Sequence, residues 1–272
     1  MTTGLHVMLH IPKCAGTTME GHLTRHLGKR RVWTPKKRTR RFPLELFGRK
    51  YDPRPPGPLD DIVAVSGHFI GRSIERHFPN RRIKRSIILR DPERLMMSYY
   101  NYRMMRYISQ GQRPFPFIFH MRALPPNPVA TFLLERWLEM PLIRVVALDR
   151  AKKAALLDDA LCTFDHVVDI SQADDLTSWC SRDLGIPETA DRSNTAETWE
   201  RHTGWKSVRL EDLADAERDE LRERVALDHY LWRRWALGEI GVLAPRVRTL
   251  EISSQLARPG YQIRRRLARS LA

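Results

Sequence analysis

The chain of 272 residues is long enough to bury a full hydrophobic core, and one domain with elaborations is favoured over two. Its net charge of +15, from 47 Lys and Arg against 32 Asp and Glu, predicts attraction to polyanions, whether nucleic acid, anionic glycan, acidic lipid or a phosphorylated cofactor. Three widely separated cysteines exclude a disulfide framework and a CxxC metal or redox motif.

The same cysteine usage suits a reducing compartment. The chain opens directly on an apolar strand without the pattern of a signal peptide, and it has no long uncharged apolar run. We therefore expect a soluble, cytoplasmic protein.

Residues 6–20 are predicted to form a short buried strand, a turn and the start of a helix. The turn contains a lysine, a glycine and two threonines, and Met19, Leu23 and Leu27 repeat at the helical spacing of four. Unpaired amides at a helix N-terminus, threonine hydroxyls and a lysine together favour a bound anion. This junction is thus a predicted phosphate or sulfate site.

Further elements follow in an alternating order. Residues 28–58 are predicted to be a basic, Pro-rich insert, and 110–128 a second Pro-rich loop. Ser171 is the predicted N-cap of a late helix. Strands are predicted at 62–68, 83–89 and 164–170, and helices at 72–78, 92–109, 129–139, 150–161, 172–184 and 213–237. Near-continuous apolar strands alternating with helices indicate a mostly parallel sheet covered on both faces, in one domain over 1–240 with a basic tail at 241–272.

The first loop differs from the common nucleotide-binding loops. In a Walker A loop the lysine stands at the helix start, whereas Lys13 precedes the small residues. Only Gly16 is available for a GxGxxG motif, so the sequence gives little support to NTPase or NAD-dependent chemistry.

The order Pro-Lys-Cys-Ala-Gly-Thr-Thr at 12–18 resembles the 5′-phosphosulfate-binding loop of sulfotransferases that use 3′-phosphoadenosine 5′-phosphosulfate (PAPS). Residues 89–100 resemble the family's 3′-phosphate-binding segment, with Arg90 at a strand end and Ser98 in the helix. The pattern is most similar to the carbohydrate enzymes of the heparan/uronyl 2-O-sulfotransferase branch. Glu93 and Arg94 stand one position early, which leaves their roles open. Weaker similarity extends to 192–195 and 227–232.

This resemblance implies a PAPS-dependent sulfotransferase with a three-layer P-loop-like fold, whose central, mostly parallel sheet is flanked by helices. It implies PAP as a product, and no metal is expected. Lys13 is the predicted catalytic lysine, stabilising the leaving oxygen. The predicted donor-binding residues are Lys13, Cys14, Ala15, Gly16, Thr17, Thr18, Arg90 and Ser98.

The general base is predicted to be His68, which follows an apolar strand and Gly67 at the end where open α/β sheets place their sites. The position also resembles the catalytic-histidine region of the 2-O-sulfotransferase branch. A structural histidine capping the next helix is the alternative reading. Glu20 is the rival base because other branches use a glutamate, although it lies where it could simply complement the helix dipole.

Several neighbours receive structural readings. Tyr99 and Tyr102 are predicted to be core residues, while His10 and His22 are predicted to be packing or surface residues. Cys14 is assigned no chemistry, although its loop position is compatible with a lowered thiol pKa.

The predicted acceptor is a hydroxyl-bearing glycan or glycolipid, and the basic segments favour an anionic one such as a uronate-bearing polysaccharide. Two alternatives from other classes remain: a nucleotide kinase-like phosphotransferase, and a non-catalytic binder of nucleic acid or another polyanion. The lysine position counts against the first, and the absence of a basic motif interleaved with aromatics counts against the second. Nucleic acid is therefore not an expected partner, and peripheral membrane contact through the amphipathic tail is weakly supported.

Overall fold

A computed structural model describes residues 4–36, 54–188, 203–239 and 241. Its centre is a five-stranded sheet in the order β2-β3-β1-β4-β5, in which every neighbouring pair is parallel. The strands are β1 (Leu5–Leu9), β2 (Val32–Trp33), β3 (Ala64–Gly67), β4 (Ile83–Leu89) and β5 (His166–Asp169). The predicted α/β fold with a mostly parallel central sheet is confirmed.

All five residues of β1 are buried. Because successive side chains of a strand point to opposite faces, both faces of the sheet are covered there. On one face, His6 of β1 contacts Asp183 and Trp179 of a long late helix. The helices are α1 (Gly16–Leu27), α2 (Pro92–Ser109), α3 (Phe117–Ala123), α4 (Pro128–Arg136), α5 (Leu142–Ala147), α6 (Arg150–Leu161), α7 (Ala173–Leu184), α8 (Asp215–Arg224) and α9 (Ala226–Leu231).

The order of strands creates a crevice between the carboxyl ends of β1 and β4. The chain leaving β1 runs through α1 towards the β2 edge, whereas the chain leaving β4 runs through α2 towards the β5 edge. Open α/β sheets bind ligands where adjacent connections diverge in this way. The loop at 10–15 and residue Arg90 both lie at this point.

Sequence patterns matched the regular elements and missed the short ones. The strand at 83–89 and the helices at 92–109 and 150–161 have the predicted bounds. The insert at 28–58 contains the strand Val32–Trp33, whose two buried residues pair with β3, and the loop at 110–128 contains α3. Helix α5 was not predicted. The predicted helix at 213–237 is instead α8, α9 and a π-helical turn, Trp232–Ala236.

Ser171 does not cap α7, so that prediction is wrong. It lies in a 3₁₀ turn, Ile170–Gln172, and the carboxylate of Asp169 accepts hydrogen bonds from the backbone amide of Ser171 at 2.8 Å and from its hydroxyl at 2.6 Å. A short carboxylate in the preceding strand end satisfies the amide before the α-helix begins.

Some predictions fall outside the described part of the chain. These are most of the basic insert, the segment at 192–195, and the tail beyond 241. Among the helices in the described ranges, none combines the length and the apolar character that a membrane span requires.

Candidate functional site

The loop after β1 has an unusual backbone. Lys13 and Ala15 adopt positive φ angles of 70° and 54°, while Cys14 between them does not. Such alternation is the backbone form of anion-binding nests, and strained non-glycine residues of this kind are concentrated at functional sites. The amides of Ala15, Gly16 and Thr17 donate to no carbonyl or side chain within the described residues. Three donors at the start of α1 are therefore available to an anion.

Lys13 lies where this cradle meets β4. Its ammonium is 4.4 Å from the centre of the Tyr102 ring, and the Arg90 guanidinium donates a 3.2 Å hydrogen bond to its carbonyl oxygen. Burial, followed by the charge of Arg90, lowers the pKa of Lys13. Burial is also the main cause that lowers the pKa of Arg90. Two half-buried cations thus face one crevice without a carboxylate partner of their own in the described contacts, which is an arrangement that favours a polyanionic ligand.

The other predicted donor-binding side chains differ in their exposure. Thr17 is exposed and Thr18 half-buried in the first turn of α1, and Ser98 is half-buried on α2. The amide of Cys14 donates to the Ile11 carbonyl at 3.2 Å, and its thiol is buried in the core. Burial raises the pKa of that thiol to about 12, the opposite of the lowering considered from its loop position.

Gly16 is required by its neighbour. A β-carbon at this position would lie 1.9 Å from Cδ2 of the His10 ring, so any side chain would displace the histidine. The close approach that Gly16 permits in the structure is to His10. His10 is a packing residue, as predicted, and burial lowers its pKa to about 3.

His68 is held against His10. Its Nδ1 donates to the His10 carbonyl oxygen at 2.6 Å, and the two ring centres are 3.9 Å apart. A carbonyl can only accept, so the proton is on Nδ1 and the lone pair is on Nε2. Burial lowers the pKa of His68, and the charge of Arg136 lowers it further, against the raising effect of the His10 carbonyl. The neutral ring is the form that can accept a proton.

Beside His68 lies a cavity of about 350 Å³. It is bounded by Ile11 and Pro12 of the loop at 10–15, called the anion loop below, and by the first turns of α2. Helix α4 contributes Phe132 and Arg136. His68 therefore lies between the anion loop and a pocket large enough for a small ligand.

Helix α4 is fixed by interlocking caps that the sequence did not reveal. The carboxylate of Asp228 accepts hydrogen bonds from the amides of Val129 and Ala130 at 2.9 and 2.8 Å, and Oδ1 of Asn127 accepts one from the amide of Leu227 at 2.8 Å. Burial raises the pKa of Asp228 to about 7, although these amide bonds act to lower it. The wall of the cavity thus depends on α9, 100 residues later in the chain.

A second brace holds the segment after His68. The carboxylate of Glu139, just beyond α4, accepts hydrogen bonds from the amide and hydroxyl of Ser73 at 2.9 and 2.8 Å. A β-carbon on Gly71 would lie 2.4 Å from this carboxylate group, so Gly71 is needed for the contact. A pairing between residues 66 positions apart has no periodic signal in the sequence.

Two tyrosines correct the predicted core. Tyr99 and Tyr102 are only half-buried: Tyr99 lines the cavity and Tyr102 contacts the Lys13 ammonium. Tyr100 is the buried member of the run, at 2% exposure.

Glu93 pairs with His229 at 3.2 Å and lies 3.6 Å from Arg222, so it connects α2 to α8 and α9.

Glu20, the alternative base, is half-buried on the second turn of α1, and it is not among the residues that bound the cavity. Burial raises its pKa. Within the described ranges, no group of three or more His, Cys, Asp or Glu side chains is arranged to hold a metal ion.

Comparisons with known proteins add little to this site. No protein-family model and no curated protein matches the chain. Among solved structures, the crystal structure of a sulfotransferase from Alicyclobacillus acidocaldarius matches with a TM-score of 0.37 and 15% identity, over 86% of this chain and 100% of that chain. A similarity at this level does not establish a shared function, which has to be argued from the residues of the site.

Proposed function

We propose that this protein is a sulfotransferase that moves a sulfuryl group from PAPS to a hydroxyl of an acceptor, with a carbohydrate or glycolipid as the class suggested by the sequence. The observation that carries the proposal is the meeting of Lys13 and Arg90 at the crevice between β1 and β4, with a neutral His68 at the adjacent cavity. One loop offers amides and a lysine, and a second strand end offers a guanidinium. A donor with phosphates at both its 5′ and 3′ positions suits both.

The residues fit the donor by their chemistry. The unpaired amides of Ala15, Gly16 and Thr17, with the Lys13 ammonium, would hold the 5′-phosphosulfate, and Arg90 would hold the 3′-phosphate, with Ser98 assigned by the resemblance. The donor supplies an activated sulfuryl group whose transfer leaves negative charge on a phosphate oxygen. Positioning and electrostatic stabilisation dominate such transfers, as they do in phosphoryl transfer.

The protein's own groups then have separate roles. Nε2 of His68 accepts the proton of the acceptor hydroxyl as that oxygen bonds to sulfur. Lys13 stabilises the electron pair that remains on the phosphate oxygen as its bond to sulfur breaks. Glu20 remains the alternative base. The Tyr102 ring holds the Lys13 ammonium at the mouth of the loop, which reduces the reorganisation that catalysis requires.

Transfer from ³⁵S-labelled PAPS to a panel of glycans, glycolipids and simple alcohols tests the proposal. We expect wild-type protein to label at least one acceptor, and Lys13→Ala and Arg90→Ala each to reduce the rate at least a hundredfold. The exposed cations Lys29 and Arg76 provide matched alanine controls, which should retain activity. Robust transfer by the Lys13 variant would contradict the mechanism.

A further inference from the structure

The cavity beside His68 has a lining unlike that expected for an acidic glycan. Fifteen residues of the described part of the chain line it, and eleven of these are Ile, Leu, Val, Met, Phe, Tyr or Pro. Aromatic and aliphatic side chains come from four parts of the chain, among them Phe69, Leu95, Tyr99 and Phe132. Such side chains are stabilised when apolar atoms cover them, and none of these eleven carries a charge that could pair with a charged sugar substituent.

The polar groups of the lining are few and mostly engaged. The hydroxyl of Thr131 donates to the Pro126 carbonyl at 3.2 Å, and the Arg136 guanidinium lies 5.1 Å from the centre of the Phe69 ring. Glu135 is buried, at 7% exposure. The formal charges of Glu135 and Arg136 cancel, so the lining residues within the described ranges offer an acceptor no excess positive charge.

The cavity's size and position also limit what can enter. About 350 Å³ is at the lower end of the range for small-molecule sites, which suits one or two rings or a short alkyl body and is too small to enclose an extended chain of sugars. Ile11 and Pro12 connect the cavity to the anion loop, and His68 gives it a proton acceptor at that end.

We infer that the acceptor is an uncharged aryl or alkyl alcohol, whose apolar body occupies this cavity and whose hydroxyl meets Nε2 of His68. This inference rests on the proposed function and replaces the anionic sugar that the charge of the chain suggested. Sulfur–oxygen bond formation consumes the alcohol's hydroxyl, the proton passes to His68, and the donor's phosphate leaves with the electron pair. Phe132, on the cavity side of α4, is the residue assigned to specificity.

Binding of 2-naphthol to PAP-saturated protein, measured by calorimetry, tests the inference. Phe132→Ser is the test variant, and Phe119→Ser is the matched control because Phe119 is 62% exposed and does not line the cavity. We expect Phe132→Ser to weaken binding at least tenfold and Phe119→Ser to change it less than twofold. A uronate-containing disaccharide should not displace 2-naphthol, and 2-naphthol should accept label from ³⁵S-labelled PAPS.

Absence of 2-naphthol binding, unchanged binding by Phe132→Ser, or displacement by the disaccharide would each overturn the inference. Failure of the proposed function would be recognised by a separate measurement. In that case PAP itself would not raise the thermal unfolding temperature of the protein. In that event the titration of 2-naphthol without PAP still tests the preference of the cavity. Binding that Phe132→Ser weakens would support an apolar ligand, and a lack of 2-naphthol binding would overturn the inference of an apolar ligand.

Discussion

Replacing His68 by asparagine separates its proton-accepting role from its structural one. An asparagine amide can still donate to the His10 carbonyl, as Nδ1 of His68 does at 2.6 Å, but it has no basic nitrogen facing the cavity. We therefore expect His68→Asn to fold and to bind PAP like the wild type. General base catalysis contributes roughly 10²- to 10⁴-fold, so kcat/KM should fall by that factor, or about 3–5 kcal/mol in activation free energy.

The pH dependence gives this prediction a second readout. Burial lowers the pKa of His68 from its usual 6.5, so the ring should be mostly neutral at pH 7. In wild-type protein the acidic limb of log kcat/KM should lie below pH 6.5, and His68→Asn should lose that limb. Steady-state rates with ³⁵S-labelled PAPS between pH 4.5 and 8.5 measure both effects. Activity within threefold of wild type, with the limb retained, would refute the assignment, and a large loss in Glu20→Gln would then identify Glu20 as the base.

Three further predictions concern stability, measured as the free energy of unfolding in urea. Gly16→Ala should lower the free energy of unfolding by about 1–3 kcal/mol because the new methyl overlaps His10. Gly21→Ala on the same helix, where a methyl would have nothing within 4 Å, should raise it by up to about 1 kcal/mol. Equal effects of the two substitutions would contradict the packing of Gly16 against His10. Asp228→Ala leaves two amides of α4 unsatisfied and should lower it by roughly 2–4 kcal/mol; a loss below the error of the measurement would argue against the cap. Burial lowers the pKa of His120 to about 3. Below about pH 6.5 this histidine is therefore protonated in the unfolded chain but stays neutral in the folded chain, so the free energy of unfolding falls as the pH drops. His120→Leu should reduce that fall by about 1.4 kcal/mol per pH unit between pH 6 and 4, and an unchanged slope would show that His120 is not the cause.

The parts of the fold that the sequence predicted are those with strong local signals. The strand at 83–89 ends in the apolar run 87–89, and the helix at 92–109 begins with Pro92 after a capping Asp91, so the end of the strand and the start of the helix follow from local chemistry. The two-residue strand Val32–Trp33 and the short α5 are too brief for any period to show, and they exist because tertiary packing buries them.

The site divides in the same way. Lys13 and Arg90 were recognisable because each stands at a strand end in a distinctive motif, and parallel strands bring such ends together. The tautomer of His68 was not predictable, since it depends on the carbonyl of His10 in the loop after β1, 58 residues earlier in the chain. Nor was the apolar cavity, because α4 is positioned by Asp228, about 100 residues away. The high net charge suggested an anionic acceptor, but overall charge says nothing of the lining of one pocket.

Binding of a nucleotide's 3′-phosphate by Arg90, in the crevice between β1 and β4, is the interaction on which the proposed function most depends. Calorimetric titration of wild-type protein and Arg90→Ala with PAP, adenosine 5′-phosphate and ATP tests it directly. We expect the wild type to prefer PAP over adenosine 5′-phosphate by about 10- to 150-fold, the range for a hydrogen bond to a charged group, and Arg90→Ala to lose that preference while retaining its affinity for adenosine 5′-phosphate. Tighter binding of ATP than of PAP, or a preference for PAP that survives the loss of Arg90, would contradict the account.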